Sequence, residues 1–259
     1  PIKSSAASDV YKRQVEYRVG RINGARVSAC DEMLSDTEEL IPAGQIMRIF
    51  RKGGYRERRD IWVDACQRLG VDRETIMHAT DDFLFLDFLL RNTDRHYNNF
   101  GLIRDVESFT IRPAPIYDSG ASLWNGMDPD AMDNGDYRTK PFWTDQWGEE
   151  DNAYWQLSLI DDWDRYDLGV LDGVPDIVHE QLSTNQRLSP MLIDRITGLL
   201  RGRLPIIRHQ RNTTAARHMI GMTPIHGLDN PSTGQGLQLP DPADVPDDTR
   251  PDDPGIGLV

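Results

Sequence analysis

The sequence predicts a mainly helical α+β fold, a helical body that carries a few short strands. Three observations lead there. Residues 83–90, Phe83-Leu84-Phe85-Leu86-Asp87-Phe88-Leu89-Leu90, are apolar nearly all round, as in a helix at the centre of a domain. Apolar residues recur at helical spacing in two further stretches, Ile61 to Leu69 and Ile193 to Leu200. Strand signals are short and confined to a hairpin near the start and to the segment that follows Asn99.

The 259 residues are enough for one or two domains, and a hydrophobic share of 38% supplies one sizeable core. Lys and Arg number 29 against 42 Asp and Glu, a net charge of −13. No general field holds such a chain on nucleic acid or anionic lipid, so direct nucleic-acid binding is not expected. No apolar run approaches the ~18 residues of a membrane span, and no hydrophobic signal-peptide core lies near the start. The two cysteines, Cys30 and Cys66, form no CxxC pair, which excludes a disulfide scaffold and a cysteine-rich zinc module. A cytoplasmic location without a membrane partner is the expectation.

Residues 1–14 lack apolar periodicity and read as a leader foreign to the fold. Asp9-Val10-Tyr11-Lys12-Arg13-Gln14 is also the translation of a transposase mosaic end used in sequencing adapters, so an artefactual or disordered leader is expected. Val15 to Ile22 and Ala25 to Cys30 are extended and joined by Asn23-Gly24, the strongest short hairpin signal. An acidic stretch, Asp36 to Glu39, precedes a helix start near Pro42, and a Gly53-Gly54 loop follows. The helix with Ile61, Trp62, Ala65, Cys66 and Leu69 ends at Gly70. Asp72 is the N-cap of the next helix, which runs to about Arg91 and includes the apolar stretch at 83–90. Polar residues from Asn92 to Asn99 interrupt the pattern. Short strands at Phe100 to Ile103 and Phe109 to Arg112 flank an Arg104-Asp105 turn, and Pro113-Ala114-Pro115 leads into Ile116-Tyr117-Asp118. Lys140 to Ile207 is mostly helical, with Ser189-Pro190 as N-cap and first residue of the last helix. Beyond Asn212 two Arg face seven Asp and no aromatic residue occurs, the composition of a disordered tail.

The loop Asn92-Thr93-Asp94-Arg95-His96-Tyr97-Asn98-Asn99 leaves a buried helix and enters a strand. Asp94 and Asn99 have the D-x-x-x-x-N spacing of a kinase catalytic loop. A carboxylate there can orient an attacking hydroxyl and accept its proton, while the amide oxygen takes magnesium. Asp118, in a turn after the hairpin, stands where a kinase puts its second metal-binding carboxylate. Phosphoryl transfer needs a nucleophile in line and a metal across the phosphates, and this trio can supply both.

On these motifs, with Ala114-Pro115-Ile116-Tyr117-Asp118-Ser119-Gly120, Lys140-Pro141-Phe142 and Glu39-Leu40-Ile41-Pro42-Ala43 in support, residues from about Cys30 to Leu200 resemble the C-terminal catalytic lobe of the HipA-like serine/threonine kinases. The resemblance implies a protein-kinase-like C-terminal lobe at 32–208, a residual hairpin and hinge of the N-terminal lobe at 15–31, and a disordered acidic tail at 209–259. It implies ATP and magnesium as cofactors, Asp94 as catalytic base, Asn99 and Asp118 as metal ligands, and His96 near the transferring phosphate. Ala29, Cys30, Asp31 and Glu32 fall at the hinge that meets adenine. A protein with a serine or threonine acceptor is the implied substrate, and an antitoxin-type protein a further partner. The family's phosphate-covering loop and phosphate-gripping lysine have no counterpart upstream of the hairpin, since Lys3 and Lys12 belong to the leader. The expectation is therefore an incomplete enzyme that binds magnesium–ATP weakly and does not turn over.

Plainer readings stand beside these. Asp94 fits an Asx-turn, Asn99 a strand cap, Asp118 an acceptor for backbone donors, and His96 a carbonyl contact. With no HExxH or HxH pair among six histidines, a metallohydrolase does not fit. Trp143, Trp147, Trp155 and Trp163 read as core and cover of the helical body, and Cys66 as packing. A non-catalytic pseudokinase, or the regulatory half of a toxin–antitoxin pair, is the alternative. Its support is the missing lysine, and the intact trio of Asp94, Asn99 and Asp118 stands against it.

Overall fold

In the computed structural model, residues 15–50, 58–135, 137–142 and 152–219 are described, all within one compact unit. The leader at 1–14, the Gly53-Gly54 loop, Trp143, Trp147, His226 and residues 220–259 of the expected tail lie outside the described residues.

Strands β1 (Tyr17–Ile22) and β2 (Ala25–Cys30) pair antiparallel, with Tyr17 opposite Cys30 and Ile22 opposite Ala25. Asn23 (φ 50°) and Gly24 (φ 82°) are both left-handed, as a two-residue turn of matching twist requires. β3 (Glu38–Pro42) arises where the sequence shows only acidic residues and a helix start. Its partner explains it. β3 pairs along its whole length with β4 (Gly101–Asp105), and Glu39 lies opposite Arg104, its ion-pair partner at 2.5 Å. This pairing spans some sixty residues of chain, so no local pattern announces it. β5 (Ile111–Pro113) completes a sheet of order β3–β4–β5. The expected turn at Arg104-Asp105 lies further on, because the Asp105 carboxylate accepts the Glu107 and Ser108 amides at 2.9 and 2.7 Å and closes the turn after itself. Gly101 lets β4 approach β3, since a Cβ there would lie 2.3 Å from the Ile41 carbonyl oxygen.

The helices are α1 (Ala43–Phe50), α2 (Arg58–Arg68), α3 (Arg73–Leu90), α4 (Ala153–Ser158), α5 (Val174–Ser183) and α6 (Pro190–Met219). Asp72 caps α3 by accepting the Thr75 amide at 3.0 Å, as its position predicts. α3 is the centre of the core. Phe83, Leu84, Phe85, Phe88 and Leu89 are buried in one cluster with Trp62 and Cys66 of α2, Leu102 of β4, Leu157 of α4 and Leu204 and Ile207 of α6. Burying each such large side chain contributes ~1.5–3 kcal/mol, which is why a helix apolar on every face settles here. Trp163 is also buried, while Trp155 is partly buried against the cluster. A smaller cluster joins Trp124 and Met132 to Ile196 and Leu200 of α6.

The last helix starts as the sequence predicts, with the Ser189 hydroxyl accepting the Leu192 amide at 3.2 Å. It then runs through Met219, past residue 208, where the tail was expected to begin. Arg208 pairs with Asp172 (2.7 Å) and Arg211 with Asp164 (3.2 Å) along this stretch. No helix among the described residues is long and apolar enough to cross a membrane.

Candidate active site

The last turn of α3 ends at Arg91, whose left-handed conformation (φ 57°, ψ 47°) turns the chain abruptly away. Asn92 fixes the new direction. Its amide donates to the Asp87 carbonyl and its side chain to the Asp87 carboxylate, both at 2.8 Å, while its own Oδ1 accepts the Asp94 amide at 3.2 Å. The Asn99 side chain then donates to the Asp94 carbonyl at 3.0 Å, so the two ends of the D-x-x-x-x-N interval are tied directly together. At the exit, helix α1 grips the loop from outside. The Ala43 amide donates to the Phe100 carbonyl at 2.9 Å and the Gly44 amide to the Tyr97 carbonyl at 2.8 Å, which gives two otherwise orphaned helix donors their acceptors. Phe100 is wedged among Trp62, Phe83, Tyr97 and Phe142, with ring centroids 4.9–6.2 Å away.

Arg95 holds the interior. Its Nε and Nη2 donate to the two oxygens of Asp87 at 2.8 Å, its Nη1 to the carbonyls of Asn99 (2.9 Å) and Tyr117, and its Nη2 also to the Ser119 hydroxyl at 3.0 Å. All five donors of a buried guanidinium are thus engaged. Burial disfavours its charge, but Asp87 more than compensates and holds it firmly protonated. One side chain therefore joins helix α3, the 92–99 loop and the turn bearing Asp118.

Asp94 itself is about half exposed, at 47%. Its Oδ1 meets the Lys140 ammonium at 3.0 Å and its Oδ2 lies 3.9 Å from the His96 Nε2. The His96 Nδ1 accepts the Asn98 amide at 3.2 Å, which puts the hydrogen of the neutral ring on Nε2, toward Asp94. Asp118 is exposed, has φ 48°, and donates its backbone amide to the Tyr17 hydroxyl of β1 at 3.1 Å. Among the described residues no hydrogen bond engages its carboxylate. Tyr117, beside it, donates to the Asn98 carbonyl at 2.8 Å, and burial pushes its hydroxyl up to about 12.

Asp94, His96, Asn99 and Asp118 are thereby gathered around one loop and one turn. Ala29, Cys30, Asp31 and Glu32 are exposed at the far end of β2. That end is near Asp118, because Cys30 pairs with Tyr17, but Asp31 is engaged with Arg18 at 2.5 Å. Asn99 and Asp118 offer hard oxygen donors, the chemistry magnesium takes, and two protein ligands suit an ion that keeps water and phosphate in its other positions. No group of three or more His, Cys, Asp or Glu poised for a metal occurs among the described residues. The sequence reading gives Arg95, Asp87, Asn92 and Lys140 no individual role in the site. Arg95 and Asn92 flank Asp94 in the motif, and an arginine next to the acid of a loop was the one available hint. Nothing local ties Lys140 to Asp94, 46 residues away.

No protein-family model and no curated protein sequence matches the chain. Among solved structures, the chain resembles the crystal structure of a Helicobacter pylori proinflammatory kinase, CtkA, with a TM-score of 0.59 and 18% identity over 83% of this chain and 85% of that one. The fold is thus kinase-like, as the sequence motifs led us to expect.

Proposed function

We propose that the chain carries the catalytic lobe of an ATP- and magnesium-dependent kinase that phosphorylates a serine or threonine of a protein. What carries the reading is the linkage of three groups with distinct duties by one buried brace: Arg95 bonds the carbonyls of Asn99 and of Tyr117, next to Asp118, and Asn99 bonds the Asp94 carbonyl, while Asp94 and Asp118 reach the surface. Asp94 is placed to orient an acceptor hydroxyl and take its proton. The Asn99 oxygen and the Asp118 carboxylate would hold magnesium, which when bound neutralises the phosphate oxygens. His96 directs its Nε2 hydrogen into the same space and can donate to a phosphoryl oxygen. The kinase-like fold adds support at the level of architecture. Ala29 to Glu32, at the end of the hairpin that touches Asp118 through Tyr17, are the proposed adenine contacts. An antitoxin-type partner remains part of this proposal on the family resemblance alone.

The test is transfer of labelled phosphate from magnesium–ATP to the protein itself or to a protein acceptor, using the full-length protein. Asp94→Asn should lower transfer by ~10²–10⁴-fold while magnesium–ATP binding persists, and Asp118→Ala should weaken the magnesium-dependent part of binding. Nucleotide binding without any transfer by the unmodified protein would instead favour a pseudokinase.

A further inference from the structure

We propose that Lys140 is a catalytic residue of this site, its ammonium neutralising an oxygen of the phosphoryl group in flight while it steadies Asp94 against the acceptor hydroxyl. The assignment rests on the phosphotransfer reading above. It starts from the 3.0 Å contact between the Lys140 Nζ and the Asp94 Oδ1.

The contact is built rather than incidental. Thr139, buried, donates its hydroxyl to the Asn92 carbonyl at 3.2 Å, at the point where the loop leaves α3. Phe142, 1% exposed, packs 6.1 Å from Phe83 and 6.2 Å from Phe100, directly after Asn99. The backbone on either side of Lys140 is thus referenced to the entrance and to the exit of the loop that presents Asp94. Stability does not account for such bracing. Lys140 and Asp94 are 31% and 47% exposed, and ion pairs this wet contribute little to folding.

Charge points the same way. The triphosphate and the phosphoryl group in transfer need cations that stay in place as the bonds change. Arg95, next to Asp94 in the chain, has all five donors committed inward. Lys140 is the one lysine among the described residues, in a chain with 25 arginines and four lysines. An arginine would clamp the carboxylate with two parallel bonds, whereas a compact ammonium can touch a carboxylate oxygen and a phosphoryl oxygen at once. In the step itself, the acceptor oxygen bonds to the γ-phosphorus as the bond from that phosphorus to the bridging oxygen of ADP breaks. The hydroxyl proton passes to Asp94 and the electron pair leaves with ADP. Lys140 keeps its proton throughout.

Lys140→Met and Lys140→Arg in the full-length protein test this, with kcat, KM for magnesium–ATP and thermal midpoint measured for each. The expected result for Lys140→Met is a kcat lower by ~10²–10³-fold, a KM within about threefold of the original, and a midpoint within about 2 °C. Lys140→Arg should regain at least about tenfold of the loss, because it restores the charge without the shape. Lys140→Gln replaces Lys140→Met if the latter does not fold, and failure of both to fold would make the residue structural and overturn the assignment. A kcat for Lys140→Met within about threefold of an active parent overturns Lys140 alone. A parent that transfers no phosphate at all overturns the phosphotransfer reading, and the Lys140 assignment falls with it.

Discussion

Helix α3 carries acids toward two different fates. At its middle, Asp81 and Asp82 are buried and saturated. Asp81 meets Arg59 at 3.2 Å and accepts the amides of Asp161 and Asp162 at 3.2 Å, while Asp82 meets Arg165 at 3.2 Å and the Tyr166 hydroxyl at 3.0 Å. Beyond its C-terminal end, Asp94 and Asp118 sit at the surface, with a lysine and a histidine near the first and, among the described residues, no donor to the carboxylate of the second. The difference separates acids that hold the fold together from acids with coordination left over for a ligand. A buried acid whose oxygens are engaged by donors from other elements is architecture, and a half-exposed acid on a braced loop is available for chemistry.

The largest contrast should come from paired substitutions across that divide. Asp94→Asn is expected to remove ~10²–10⁴-fold of phosphate transfer while shifting the thermal midpoint by no more than about 2 °C. Arg59→Met, by removing the buried cation that pairs with Asp81 in the core, should lower stability by ~3–5 kcal/mol in denaturant titration, with whatever folds still binding magnesium–ATP. Equal effects of the two on stability would erase the distinction between the sites.

A pH series sharpens it further. Burial pushes the Asp81 carboxyl up to about 7 from its ordinary 3.8, against the pull of Arg59 and the two backbone amides. Between those two values the native state keeps a proton that the unfolded chain has released. This contribution to stability is full below the unfolded value and is lost as the pH rises through the folded one. Thermal midpoints should therefore fall by several degrees from about pH 4 to above pH 7 relative to Asp81→Asn, in which the group no longer titrates. Parallel curves for the two proteins would show that Asp81 is ionised throughout.

The smallest effect belongs at the start of the same helix. Asp72→Ala removes the cap on Thr75 and should cost about 1 kcal/mol by denaturant titration, with transfer activity intact.

What the sequence discloses follows the range of the interactions involved. α3, its cap at Asp72, the Asn23-Gly24 turn and the start of α6 are local, set by residues three or four apart, and they are readable. So is the D-x-x-x-x-N interval, whose two ends bond across five residues. β3 is not, because Glu38 to Pro42 become a strand only against residues 101–105. The burial of Asp81, Asp82 and Asp87 is also hidden. In a stretch that reads as uniformly greasy their partners come from α2, from residues 161–166 and from Arg95. Lys140 was legible only as part of a motif, since its contact with Asp94 depends on how Thr139 and Phe142 lodge in the core.

The guanidinium of Arg95 has a mechanical consequence. A flat, rigid fork that grips the carbonyls of Asn99 and Tyr117 at one nitrogen behaves as a crank between the segments that bear the two metal-binding candidates. The Tyr17 hydroxyl holds the neighbouring Asp118 amide from the hairpin side. A tilt of the hairpin is thus geared to Asp118, through Tyr117 to Arg95, and from there to Asn99, so that the spacing of the pair follows the attitude of a strand that touches only one of them.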